Sequence, residues 1–161
     1  MSELTAVRHK RGGLYFEGFE VGVLVEHRYT RTVTQTDNIL FSSMTLNPQP
    51  LHIDRQFCAQ ETEWGQPIMN SLFTLGLMIG ISVSDLTVGT TIANLGMTEV
   101  KFPHPLFEGD TVHCTTEVLG KRLSNTRPDS GIVEFHHRAY NQADQLVAEC
   151  RRHALMRLRA T

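Results

Sequence analysis

Two carboxamides, an imidazole and a carboxylate fall within the short stretch Asn47-Pro48-Gln49-Pro50-Leu51-His52-Ile53-Asp54. An imidazole titrates near neutral pH, so His52 is suited to taking a proton and returning it within one reaction cycle. Carboxamides do not titrate, but their oxygen and NH2 can orient a water molecule or a neighbouring group. The two prolines fix their own φ and push the preceding Asn47 and Gln49 toward extended backbone, so the loop is stiff and its side chains are aimed. This marks His52 as a candidate base and Asn47 as a candidate for orienting water. Gln49 is read as bracing the loop or placing His52. Asp54 reads as the N-cap of a following helix, with a smaller role in orienting the imidazole.

Around this loop the elements follow from pattern and punctuation. Val23 to Val33 alternates and is rich in β-branched residues, as a first strand would be. Thr34 and Asp37 have the spacing of a capping box, opening a helix to about Thr45 whose buried side would carry Ile39, Leu40, Phe41 and Met44. A second short helix is expected after Asp54, with Phe57 and Ala59 inward, stopping near Gly65. Asn70 is a good N-cap for a long helix to about Leu86. That helix is apolar almost all round, so it must be buried in the middle of something. Gly76 and Gly80, on one of its faces, would let a sheet or a partner's backbone come close. Its first-turn N–H groups have no intrahelical partner and sit at the positive end of the helix dipole, so they can hold developing negative charge.

Strands are then expected over Thr90 to Leu95, Thr98 to Phe102, Asp110 to Leu119, Gly131 to Tyr140 and Gln145 to Arg157, separated by turn signals that include Gly109-Asp110. One early strand, a central helix and a run of long strands indicate an α+β fold, an antiparallel sheet wrapped round one helix. Residues 1–13 read as a flexible arm and 14–161 as a single domain.

The chain has 161 residues, with 40% hydrophobic and 20% charged residues and a formal charge of −2, an ordinary globular composition. Nothing in this balance favours nucleic acid or a membrane surface as partner. Cys58, Cys114 and Cys150 are odd in number and lack a CxxC spacing, which suggests reduced thiols in a cytoplasmic protein. The apolar run near residues 72–83 is too short to span a bilayer. His136 and His137 are adjacent in a strand and point to opposite faces, so they make a poor metal site; no metal is expected.

The loop resembles the motif of the MaoC-like (R)-specific enoyl-CoA hydratases, a branch of the hot-dog fold. Gln49, Pro50, Leu51 and His52 match its Asn-Pro-aliphatic-His. Asn47 stands where that family usually carries a catalytic aspartate, and Pro67-Ile68-Met69-Asn70-Ser71 replaces its Pro-Ile-x-His-Gly. Val100 to Thr111 matches its strand–turn–strand with Gly-Asp. The Asn-x-Gln-Pro-Leu-His variant looks more like the subgroup acting on mesaconyl-, methylmalyl- or itaconyl-CoA. The resemblance implies a hot-dog homodimer, or an assembly of dimers, that adds water reversibly to an enoyl-CoA without a metal or redox cofactor, coenzyme A entering only as part of the substrate. It also implies that the N–H of Ser71 meets the thioester oxygen and that Asn70 lies beside the substrate. Lys101, Arg122 and Arg127 are candidates for the nucleotide phosphates by charge. The alternatives are an acyl-CoA thioesterase, disfavoured because the helix has no acid before Asp85, and a non-catalytic acyl-CoA-binding module.

Overall fold

The computed structural model describes residues 8–160. A short 3-10 turn at Phe16–Gly18 precedes strands β1 (Leu24–Glu26) and β2 (Arg31–Thr32). Helices α1 (Gln35–Met44), α2 (Pro50–Ile53), α3 (Arg55–Glu61) and α4 (Ser71–Leu86) follow, and then strands β3 (Thr91–Lys101), β4 (Thr111–Leu123), β5 (Ser130–Tyr140) and β6 (Leu146–Arg157). The sheet is antiparallel in the order β1-β4-β5-β6-β3, with β2 also pairing β4. Every second residue of β4 and β5 is buried, the pattern of strands with one face on the core. That face holds α4, which contacts β4, β5 and β6, so the hot-dog arrangement of sheet around helix is present.

Several local expectations are corrected. The single strand expected over Val23–Val33 is two short ones, interrupted where the His27 side chain turns inward. The two strands expected between Thr90 and Phe102 are one, β3, which absorbs the break through register shifts against β6. In α1 the capping box forms as expected, but Asn38 and Ser42 are the buried residues; Ile39, Leu40 and Met44 face outward. In α3 the inward residue is Cys58, with Ala59 exposed. Only the sheet side of α4 is covered, by Thr74, Met78, Ile81, Ser82 and Leu86, whereas Leu72 is 60% exposed. Apart from the adjoining residues and backbone of α4 itself, no described atom comes within 4 Å of a Cβ built on Gly76 or Gly80, so the sheet is not what approaches those glycines. Residues 1–7 of the expected arm lie outside the described residues. The rest of it turns against the end of α4, where the Gly13 N–H donates to the Val88 carbonyl and an added Cβ would strike Val88 backbone at 2.5 Å.

Between the two apolar clusters under α4 runs a polar layer. His27 Nε2 and His137 Nδ1 each lie 2.7 Å from the Thr116 hydroxyl, and His27 Nδ1 lies 3.3 Å from Asp85 Oδ2. An ionised Asp85 only accepts, so His27 donates to it through Nδ1, the Thr116 hydroxyl donates to His27 Nε2, and His137 Nδ1 donates to Thr116. Burial, then the positive charge of Arg152 and the neighbouring histidines, pushes the His137 pKa well down. Burial also lowers that of His27, with Asp85 partly opposing. Burial alone would raise Asp85, but bonds from Arg28 and His27 hold it below its ordinary value.

A histidine whose folded pKa is depressed binds fewer protons folded than unfolded. Its contribution is therefore complete above the unfolded value of about 6.5 and is lost as pH falls below it toward the folded value. Asp85 enters only below about 4, since its contribution is lost as pH falls through the carboxylate range. The melting temperature should thus drop between pH 7 and pH 5, and His137→Gln should start lower and flatten that drop. Equal slopes in the two proteins would contradict the assignment.

Candidate active site

Pro50 occupies the first turn of α2, where its missing N–H costs nothing, and α2 carries His52. The His52 Nδ1 lies 2.9 Å from the Ile68 carbonyl oxygen. A carbonyl only accepts, so Nδ1 carries the hydrogen and Nε2 keeps its lone pair. The His52 carbonyl in turn accepts from Asn38 Nδ2 at 2.8 Å and Gln35 Nε2 at 3.1 Å.

Asn47 folds the proline loop on itself, its Oδ1 accepting from the Gln49 N–H at 3.0 Å while its own N–H donates to the Ser42 carbonyl. The Asn47 NH2 has no acceptor among the described residues. Gln49 acts through its backbone, its carbonyl accepting from the His52 N–H at 3.1 Å, while its side chain is exposed and makes no hydrogen bond to the described residues. Asp54 caps α3 by accepting from the Phe57 N–H and makes no hydrogen bond to the imidazole. An open cavity of about 350 Å³ lies beside Asn47, lined also by Ser42, Ser43, Leu46, Pro48 and Ile53.

The tip of α4 is tied to the same loop. Asn70 is buried, and its side chain accepts from the Leu72 N–H at 3.0 Å. The Asn70 N–H donates to Asn38 Oδ1 at 2.8 Å. Thr74 N–H takes the Asn70 carbonyl as the first helical bond. The Ser71 N–H, in the first helical position, is left without an acceptor among the described residues, at the positive end of the helix dipole. His52 and this donor are therefore presented by neighbouring pieces of backbone, since the carbonyl that grips the ring belongs to the segment leading directly into α4.

That segment is held from the sheet side. Ile68 pairs with Phe107, and the Met69 N–H donates to the Leu106 carbonyl at 2.8 Å. The Gly109-Asp110 turn is structural, as read: Asp110 accepts from the Phe107 N–H and from Gln142, and Gly109 has φ +91°, a left-handed conformation natural to glycine.

The remaining chemical groups are occupied or distant. Cys58, Cys114 and Cys150 are buried free thiols, and burial pushes Cys114 up to about 12 and Cys150 up to about 11, which leaves no thiolate nucleophile. His136 faces outward to Glu149 while His137 faces inward. Lys101 lies beside Glu149, whereas Arg122 pairs opposite Ile132, farther along the sheet by about 20 Å of strand. Arg127 is ion-paired with Asp129 in the turn after β4, so the three candidate cations do not converge. The larger cavity, about 770 Å³, lies at the opposite end of α4 beside Asp85, roughly 21 Å along the axis from Ser71, and contains none of the proline loop.

Sequence reasoning missed Asn38, Gln35 and the Ile68 carbonyl. Main-chain acceptors carry no signature. Asn38 did carry one: it shares a helical face with Ser42, and that polar face, not the apolar one, is the buried face of α1.

Residues 18–139 match the family model described as MaoC like domain. The chain is 31% identical over 147 residues to the beta-methylmalyl-CoA dehydratase of Chloroflexus aurantiacus, covering 91% of this chain and 41% of that protein. It is 28% identical over 149 residues to the mesaconyl-CoA hydratase of Cereibacter sphaeroides, covering 92% of this chain and 43% of that one. The chain thus spans about two fifths of the length of these two relatives. Among solved structures, an R-hydratase of Pseudomonas aeruginosa superposes with a TM-score of 0.74 at 26% identity, covering 91% of this chain and 86% of that one. With the expected fold in place and most of its length matched, the chain belongs to the MaoC-like family.

Proposed function

We propose that the protein is an enoyl-CoA hydratase/dehydratase that adds water reversibly across the α,β double bond of a thioester. The observation that carries this reading is the His52 tautomer: with Nδ1–H committed to Ile68, the Nε2 lone pair is the one free to act as base. In hydration, His52 Nε2 takes a proton from water as the oxygen bonds to Cβ. The π electrons move onto the thioester oxygen, where the Ser71 N–H stabilises the enolate. The enolate then collapses as Cα takes a proton from the imidazolium, which returns His52 to its starting state. The NH2 of Asn47 orients the water, doing by hydrogen bonding what a carboxylate would do by proton transfer. Gln49 and Asn70 border the acyl group. Coenzyme A is part of the substrate and no metal or redox group takes part.

The preferred acyl group is short and branched or dicarboxylic, such as mesaconyl or itaconyl, in keeping with the names of the two relatives. Hydrolysis is the weaker reading, because Asp85, the acid of α4, is bonded to His27 and Arg28 at the far end of the helix. The working unit is a homodimer in the cytoplasm. Its support is the uncovered side of α4, with Leu72, Gly76 and Gly80, together with the sheet-edge strand β3 and its exposed Leu95 and Val100. Light scattering at assay concentration should give twice the chain mass; a monomer that turns over at full rate would contradict the dimer.

With crotonyl-CoA and mesaconyl-CoA, the protein should bleach the enoyl absorbance without releasing free thiol. His52→Gln should lose about 10²–10⁴-fold in turnover, the usual weight of a general base. Ser71→Pro deletes one N–H at a helix position that tolerates proline, after an Asn70 whose ψ of 127° suits a pre-proline residue. It should lose about 10²–10³-fold while melting normally. Thiol release, or full turnover by His52→Gln, would overturn the proposal.

A further inference from the structure

Asn38 is fully buried on the inner face of α1 and every polar hydrogen it owns is committed. Its Nδ2 donates to the His52 carbonyl at 2.8 Å and to the Ile68 carbonyl at 3.0 Å. Its Oδ1 accepts from the Asn70 N–H at 2.8 Å. This orientation of the amide admits no reversal, since a flip would face oxygen with two carbonyls and NH2 with an N–H. The three partners are not a random set. One is the backbone of the histidine, one is the carbonyl that grips its ring, and one is the N-cap whose neighbour offers the free helix-tip donor.

We infer that Asn38 is a positioning residue for the reaction: one side-chain amide holds the His52 imidazole and the Ser71 N–H in a fixed mutual geometry and keeps the proton of His52 on Nδ1. The second effect works through Ile68. Its carbonyl receives two hydrogens, one from His52 and one from Asn38, so both lone pairs are directed and the oxygen stays turned toward the ring. Without the Asn38 donor that peptide keeps only the Met69 N–H bond to Leu106, and its carbonyl is held less firmly toward the ring as the acceptor that makes Nε2 the free base. A buried carboxamide is costly unless fully bonded, and here all three of its partners belong to the segments that carry His52 and Ser71, which fits a role in aiming groups rather than filling space.

An Asn38→Asp variant isolates the role. At neutral pH its carboxylate still accepts from the Asn70 N–H but offers nothing to the two carbonyls. As pH falls and the carboxyl takes a proton, one donor returns. For turnover the inference rests on the hydratase reading, so the first readout needs no substrate: ¹⁵N NMR of the imidazole should show wild-type His52 in the Nδ1–H form and the folded variant in a mixture. The second is kinetic. Turnover at pH 8 should fall about 100-fold, the cost of roughly ångström-scale misplacement, with KM within about threefold, and activity relative to wild type should rise as pH is lowered. A merely structural residue would lower the melting temperature without moving the tautomer or splitting kcat from KM. Should Asn38→Asp fail to fold, Asn38→Ser, which keeps a single small donor and acceptor, takes its place with the same readouts. A wild-type His52 in the Nε2–H form, or a folded variant with unchanged tautomer and turnover, would overturn the inference. Wild-type protein inert toward enoyl-CoA with the tautomers as expected would instead sink the hydratase reading and leave Asn38 in place.

Discussion

The hydrogen bond between the His52 ring and the Ile68 carbonyl is the constraint around which the site is arranged. It decides which nitrogen is basic, and it ties the short helix α2 to the segment that becomes the central helix. Most of the surrounding architecture can be read as support for that one contact. The prolines stiffen the loop that leads into α2, the helix from which the imidazole projects. The Ile68–Phe107 bridge and the Met69–Leu106 bond hold the acceptor from the sheet side, and the Gly109-Asp110 turn fixes that strand segment in place.

The helix tip shows how capping and chemistry are reconciled. An N-terminus leaves several donors without partners, and here two of them are met by side chains. Asn38 takes the Asn70 N–H and Asn70 takes that of Leu72, so the Ser71 N–H stands out as a donor at the positive end of the dipole. Replacing the family's usual glycine by serine leaves a main-chain donor intact. Replacing its aspartate by Asn47 is a larger change, because it removes a titratable group and, in the proposed mechanism, leaves both proton transfers to one imidazole.

Much of this was legible before any coordinates. The Thr34–Asp37 box, the Asn70 cap, the Asp54 cap and the long strands β4 to β6 all follow from residue types at fixed spacings, and all are present. What escaped the sequence has physical reasons. The apolar residues of α1 suggest a different buried face, yet its inward face is Asn38 and Ser42: the Asn38 amide meets two backbone carbonyls and an N–H there, while the Ser42 hydroxyl is buried without a hydrogen-bond partner among the described residues. The circumference of α4 suggested complete burial, but one sheet covers only one side of a helix. The acceptor that sets the His52 tautomer is a main-chain oxygen, and main-chain atoms leave no trace in residue identity. Adjacent histidines on β5 were correctly separated by strand geometry, whereas the layer joining His27, Thr116 and His137 depends on pairing between distant strands that no local pattern announces.

The most direct test of the account is a crystal structure of the protein with a 3-hydroxyacyl-CoA product bound. The account predicts the thioester oxygen within hydrogen-bond reach of the Ser71 N–H, and His52 Nε2 within about 2.6–3.2 Å of the product hydroxyl. An acyl group lying elsewhere, for instance against Asp85 at the far end of α4, or an imidazole meeting the product through Nδ1, would contradict it.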